Sequence, residues 1–150
     1  MKKMNLKWMI SLVLVAILSI GVITALVKID RNETTKDING NVFTYSIGLI
    51  DETGEYEQGT SSIYMKDFQD VDGLTCKLDE KASITYEINF YDEDKEFISS
   101  TGSLEADFES SSIPENAKYF KVEITPTNDA EVSFFEINTY AKQLTVTVNK

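Results

Sequence analysis

Apolar and polar residues are distributed along this chain in three different patterns. Residues 8–27, WMISLVLVAILSIGVITALV, hold no charged side chain over twenty positions. At about 1.5 Å per residue, a helix of that length spans roughly 30 Å, the thickness of a bilayer hydrocarbon core, so one N-terminal transmembrane helix is predicted. Residues 28–41, KIDRNETTKDINGN, are polar without apolar period and read as a spacer. From Val42 to the last residue the period becomes two.

FTYSIGL sets Phe43, Tyr45, Ile47 and Leu49 on one face against Thr44, Ser46 and Gly48 on the other. SITYEINFY repeats this with Ile84, Tyr86, Ile88 and Phe90 against Thr85, Glu87, Asn89 and Tyr91. YFKVEIT alternates Phe120, Val122 and Ile124 with Lys121, Glu123 and Thr125, and LTVTV alternates Leu144, Val146 and Val148 with threonines. Further strands are expected near 60–66, 73–78, 96–101 and 104–108. In EVSFFEI the phase slips at Phe134-Phe135, which predicts a bulged strand. No segment after residue 27 shows a helical period. Eight or nine short strands, each with one polar face, predict an all-β antiparallel sandwich of jelly-roll type over residues 42–150.

Charge adds an orientation. Lys2, Lys3 and Lys7 precede the apolar run and no acid does, which places the N-terminus in the cytoplasm and everything after Val27 outside. Trp8 falls at interfacial depth. The competing reading is a secretory signal with its apolar region at 8–20 and cleavage after Ala25, which releases a secreted domain. Both readings export the remainder. That remainder holds 11 basic residues against 25 acidic ones, a net charge of −14. Such a surface repels phosphate backbones, so nucleic acid and anionic polymers are disfavoured as partners. The lipid bilayer, through residues 8–27, is the first partner expected.

Histidine is absent, which excludes the Ser-His-Asp triad and the ordinary zinc and copper ligand sets. The single cysteine, Cys76, alternates with Leu74 and Leu78 and reads as a small buried hydrophobe.

The densest candidate chemistry is FYDEDKEF, where Asp92, Glu93, Asp94 and Glu96 fall within five positions. Strands on both sides make it a hairpin turn. An EF-hand starting at Asp92 needs glycine at its sixth position and a carboxylate at its twelfth, but Phe97 and Ser103 stand there. A second acidic group, DFQDVDG, offers Asp67, Asp70 and Asp72 ahead of Gly73. A structural calcium ion drawing on Asp92 and Asp94, or on Asp70 and Asp72, is the only cofactor expectation. Paired-carboxylate hydrolysis is the weakest alternative, because a small sandwich leaves little room for an enclosed cleft.

TSSIYMKDF, ITYEINFYDEDKEFISST and SSIPENAKYFKVEIT follow in an order that resembles small jelly-roll modules of bacterial surface and phage tail proteins. These belong to the galactose-binding-like, carbohydrate-binding-module superfamily. Tyr91-Asp92, Phe97-Ile98 and the phrase Pro114, Asn116, Ala117, Tyr119 carry the likeness, which covers roughly residues 60–125. The resemblance implies a non-catalytic glycan-binding role. No tryptophan follows the apolar run, so a sugar platform falls to tyrosines. Alternation puts Tyr91 beside Glu87 and Asn89, and Tyr119 beside Lys121 and Glu123; on neighbouring strands these form one polar-aromatic outer face. Glu87, Asn89, Tyr91, Tyr119 and Lys121 are therefore the candidate ligand residues, with Tyr91 expected exposed. A protein-binding module using an acidic surface or a sheet edge, or a structural subunit of an envelope complex, remains open beside the glycan reading.

Overall fold

The computed structural model describes residues 33–36 and 40–149. The predicted membrane segment, and all of the spacer except 33–36, 40 and 41, lie outside the described residues. Among the described residues no helix is long and apolar enough to cross a membrane.

The fold is β-rich, antiparallel and sandwich-like. Its strands are β1 (Glu33–Lys36), β2 (Val42–Ile47), β3 (Leu49–Ile50), β4 (Tyr56–Glu57), β5 (Ile63–Met65), β6 (Gln69–Asp70), β7 (Thr75–Leu78), β8 (Ile84–Tyr91), β9 (Phe97–Ser100), β10 (Tyr119–Pro126) and β11 (Leu144–Thr147), and among the described residues a short α-helix, α1, spans Ile137–Ala141. The main sheet runs β1-β2-β5-β10-β8-β9, and β6 pairs with the start of β10 beyond β5. β8 and β10 form its spine, paired from Tyr119↔Tyr91 through Pro126↔Ile84.

The period-two pattern dictates which face closes. Ile84, Tyr86, Ile88 and Phe90 of β8, Phe120, Val122 and Ile124 of β10, Phe43 and Tyr45 of β2, and Ile63 and Met65 of β5 all point inward and are buried. They pack against a second, two-stranded sheet in which β7 and β11 contribute Cys76, Leu144 and Val146, with Leu74, Phe108, Ile137 and Tyr140 filling the ends. Each fully buried branched or aromatic side chain contributes about 1.5–3 kcal/mol relative to exposure. This layer therefore dominates the fold's stability.

Four expectations are corrected. The spacer is not structureless throughout, since residues 33–36 form β1 on the edge of β2, and Thr34 and Thr35 suit a strand with one solvated face. EVSFFEI is not a strand: Phe134–Glu136 is a 3-10 turn leading into α1. Ser133 and Glu136 form a capping box, with the Ser133 backbone N–H and hydroxyl both donating to the Glu136 carboxylate at 2.9 and 2.6 Å. That closure satisfies groups which a strand would have left for a ladder. Residues 104–108 make only two isolated bridges, Leu104 with Tyr86 and Phe108 with Cys76. Finally, Leu49 does not continue the face of Phe43, Tyr45 and Ile47. Gly48 turns the chain at φ 145°, a conformation open to glycine alone, and a Cβ there would sit 2.5 Å from the Tyr56 ring.

Candidate functional site

After Gly48 the chain folds back as a small hairpin, β3–β4, over the outer face of the main sheet. Its turn is held by Asp51, whose Oδ1 accepts from the Thr53 N–H, the Thr53 hydroxyl and the Glu55 N–H at 2.8, 2.6 and 3.0 Å. These bonds hold the Asp51 carboxyl below the usual range. The hairpin is fixed to the sheet at three points. The Ile50 N–H donates to Glu123 Oε2 at 2.7 Å, the Tyr91 hydroxyl donates to the Gly54 carbonyl at 2.7 Å, and the Tyr56 and Tyr64 rings lie 5.0 Å apart.

β8 and β10 are neighbours, as the outer-face reading requires. Their register sets Tyr119 opposite Tyr91, Lys121 opposite Asn89 and Glu123 opposite Glu87. The structure thus gathers the five sequence candidates on one surface, but it does not expose them equally. Tyr91 is 2% exposed, so the expected open platform at this residue is corrected. Its ring is enclosed by Phe68, edge-on at 4.9 Å, and by Phe97 at 5.9 Å, and burial pushes its phenol up. Asn89 is likewise 2% exposed, and its Nδ2 is a buried donor without a protein acceptor. Glu87, Tyr119 and Lys121 are half-buried and reach the surface.

Among the described residues, Glu123 carries a feature that resembles catalytic tuning. Burial raises its carboxyl, and the Glu87 charge across the strand pair raises it further. Two carboxylates with one shifted upward are a hydrolase pattern. Here, however, the Ile50 N–H and the Ser62 hydroxyl occupy Glu123 beneath the hairpin, so its carboxylate acts as a structural anchor.

The acidic turn is closed on itself. Asp92 Oδ1 accepts from the Asp94 and Glu96 N–H groups at 2.9 Å each, while the Asp92 N–H donates to the Glu96 carbonyl. In the second group, Asp70 accepts from the Asp72 N–H and from Lys118 Nζ, at 3.0 and 2.7 Å. The Lys118 bond holds the Asp70 carboxyl low. Among the described residues no three acidic, cysteine or histidine side chains converge to hold a metal ion; Asp92 and Asp94 lie in one turn and Asp70 and Asp72 in the other.

The turn does deliver a different residue. Lys95 adopts φ 67°, the left-handed conformation that favours glycine or asparagine. From there its ammonium lies 5.1 Å from the centroid of the Phe68 ring and 5.7 Å from that of Tyr119. Lys121, rising from β10, places its own ammonium 4.1 Å from the same Phe68 centroid. Phe68 and Tyr119 are 6.1 Å apart at 65°. Two lysines thus converge on one aromatic pair, and neither forms an ion pair with a described residue. Phe68 and Lys95 escaped the sequence reading because Phe68 lies between acids in a loop, and Lys95 is the lone base of an acidic turn. The available signal was a lysine where the turn favours glycine.

No protein-family model, curated protein or solved structure matches this chain.

Proposed function

We propose that this protein is a non-catalytic binding module, anchored in the membrane by residues 8–27 and displayed outside it, that recognises a glycan of the cell envelope. The observation that carries the reading is the outer-face cluster of Phe68, Tyr119, Lys95 and Lys121, where aromatic surface meets unpaired donors beside the half-buried Glu87 and Glu123. Rings provide apolar contact for the C–H face of a sugar, and ammonium groups donate to its oxygens. The likeness to galactose-binding-like jelly-roll modules supports the same reading, with the platform moved from Tyr91 to Phe68 and Tyr119.

The test is an array of bacterial and host glycans probed with the full chain in detergent, first with calcium and then with chelator. Reproducible binding that Tyr119→Ala removes without changing the unfolding midpoint supports the function. A blank array from folded protein overturns it. Calcium-dependent binding returns the acidic turns to consideration as a metal site assembled with the ligand.

A second reading has its own observation. Phe135 is 82% exposed just before α1, its ring 5.4 Å from that of Phe134. A protein partner docking there accounts for it. Under that reading Phe135→Ser, not Tyr119→Ala, abolishes partner capture from solubilised membranes.

A further inference from the structure

Lys95 and Lys121 are arranged in a way that packing alone does not require. The two ammonium groups are brought over one ring although like charges repel, and the Lys95 charge acts against that of Lys121. Lys121 is half-buried, which further opposes its charge. Glu55 and Asp67 lie near enough to favour the Lys121 charge, yet neither closes on it as an ion pair. The backbone at Lys95 is held in a conformation that costs a non-glycine residue free energy. Glycine there relieves the backbone and loses the cation. Residues kept against repulsion, burial and backbone preference at one spot are positioned for something that arrives from outside.

We infer that the glycan bound at this face is anionic: a sugar ring carrying a single carboxylate or phosphate, its ring against Phe68 and Tyr119 and its charged group between Lys95 and Lys121. This rests on the glycan-binding reading above and adds the charge of the ligand to it. A ring-borne anion satisfies every feature together. It neutralises the repelling lysines, takes hydrogen bonds from both, and covers the aromatic surface between them. The rest of the domain sets a limit on its size. At physiological salt, fields decay over about 8 Å, so the lysines act on a group seated between them. A long polyanion also meets the domain's acid excess, 25 acidic residues against 14 basic in the whole chain, and is repelled. The ligand is therefore a single acidic residue or chain end rather than a polyanionic repeat.

The experiment uses the full chain in detergent on an array of neutral saccharides, each paired with its uronate and its phosphorylated counterpart. Hits are followed by NMR titration at low and high salt beside inorganic phosphate alone. The expected result is at least tenfold tighter binding of an acidic saccharide than of its neutral parent, weakening as salt rises. Lys95→Gly and Lys121→Met each remove most of that advantage. Lys95→Gly leaves the fold intact because glycine suits the turn. Preference for the uronate or for the phosphate identifies the source of the charge. Equal binding of neutral and acidic partners, unaffected by either variant, overturns the anionic inference and leaves the glycan reading standing. Binding of inorganic phosphate as tight as that of any phosphosugar overturns the saccharide contribution. An array blank for neutral and acidic members alike overturns the glycan reading itself.

Discussion

The most informative single atom in the outer layer is the Tyr91 hydroxyl. It donates to the Gly54 carbonyl at 2.7 Å, and donor and acceptor are both buried. Tyr91→Phe keeps the ring against Phe68 and Phe97 and removes only this bond. A typical hydrogen bond contributes about 0.5–1.5 kcal/mol net, but an acceptor left buried and unpaired costs about 1–3 kcal/mol. Because the hairpin can shift to admit water, the expected loss is about 1–2 kcal/mol, a fall in unfolding midpoint of about 4–8 °C for a domain of this size. The loss should also be local. Amide exchange by mass spectrometry should quicken over residues 48–59, where the Gly48 N–H to Ser62 carbonyl and Asp51 N–H to Glu55 carbonyl bonds hold the hairpin. Exchange in β8 and β10 should change only as global stability does. Tyr91→Ala also deletes the ring, and about 3–5 kcal/mol is expected. Unchanged stability and unchanged hairpin exchange in Tyr91→Phe would refute the burial of Tyr91 and the attachment of β3–β4.

Gly54→Ala adds a Cβ within 2.6 Å of the Phe97 ring at φ 83°, so it should cost about 2 kcal/mol or more, read by thermal unfolding. Glu123 has a folded-state carboxyl raised by burial above its ordinary 4.5, so the folded protein takes up its proton more readily than the unfolded chain. Its contribution to stability therefore declines as pH rises from about 4.5 through the folded value, and Glu123→Gln should flatten that decline in denaturation curves collected across the window. Cys76 is buried, and burial, with the Asp107 charge second, pushes its thiol up to about 12. Alkylation in native buffer should therefore proceed no faster than unfolding, and fast labelling without denaturant would contradict the core assignment.

The alternation of Ile84 to Tyr91 and of Tyr119 to Thr125 was enough to foresee the spine of the main sheet and its buried face. A period of two leaves only one phase in which every large apolar residue is covered. The same phase put Glu87, Asn89, Tyr91, Tyr119 and Lys121 together on the outer side, where the register confirms them as neighbours. Whether that side faces water was not legible. It depends on Gly48 reversing the chain and on what the hairpin then covers, a tertiary event that no local pattern of Tyr91 records. The capping box at Ser133 and Glu136 was present as an S-x-x-E phrase, but the apolar Phe134-Phe135 pair between them imitates a strand. The Phe68 cluster joins three separate segments, and only the Tyr119–Lys121 spacing on β10 was visible in the chain; nothing local ties Phe68 or Lys95 to it.

Chemical-shift mapping of the full chain with a saccharide taken from the array tests the recognition surface most directly. Perturbations concentrated on Phe68, Lys95, Tyr119 and Lys121 are the expected result. Shifts confined instead to the opposite layer, around β7 and β11, with the Phe68 ring signals unmoved, would contradict it.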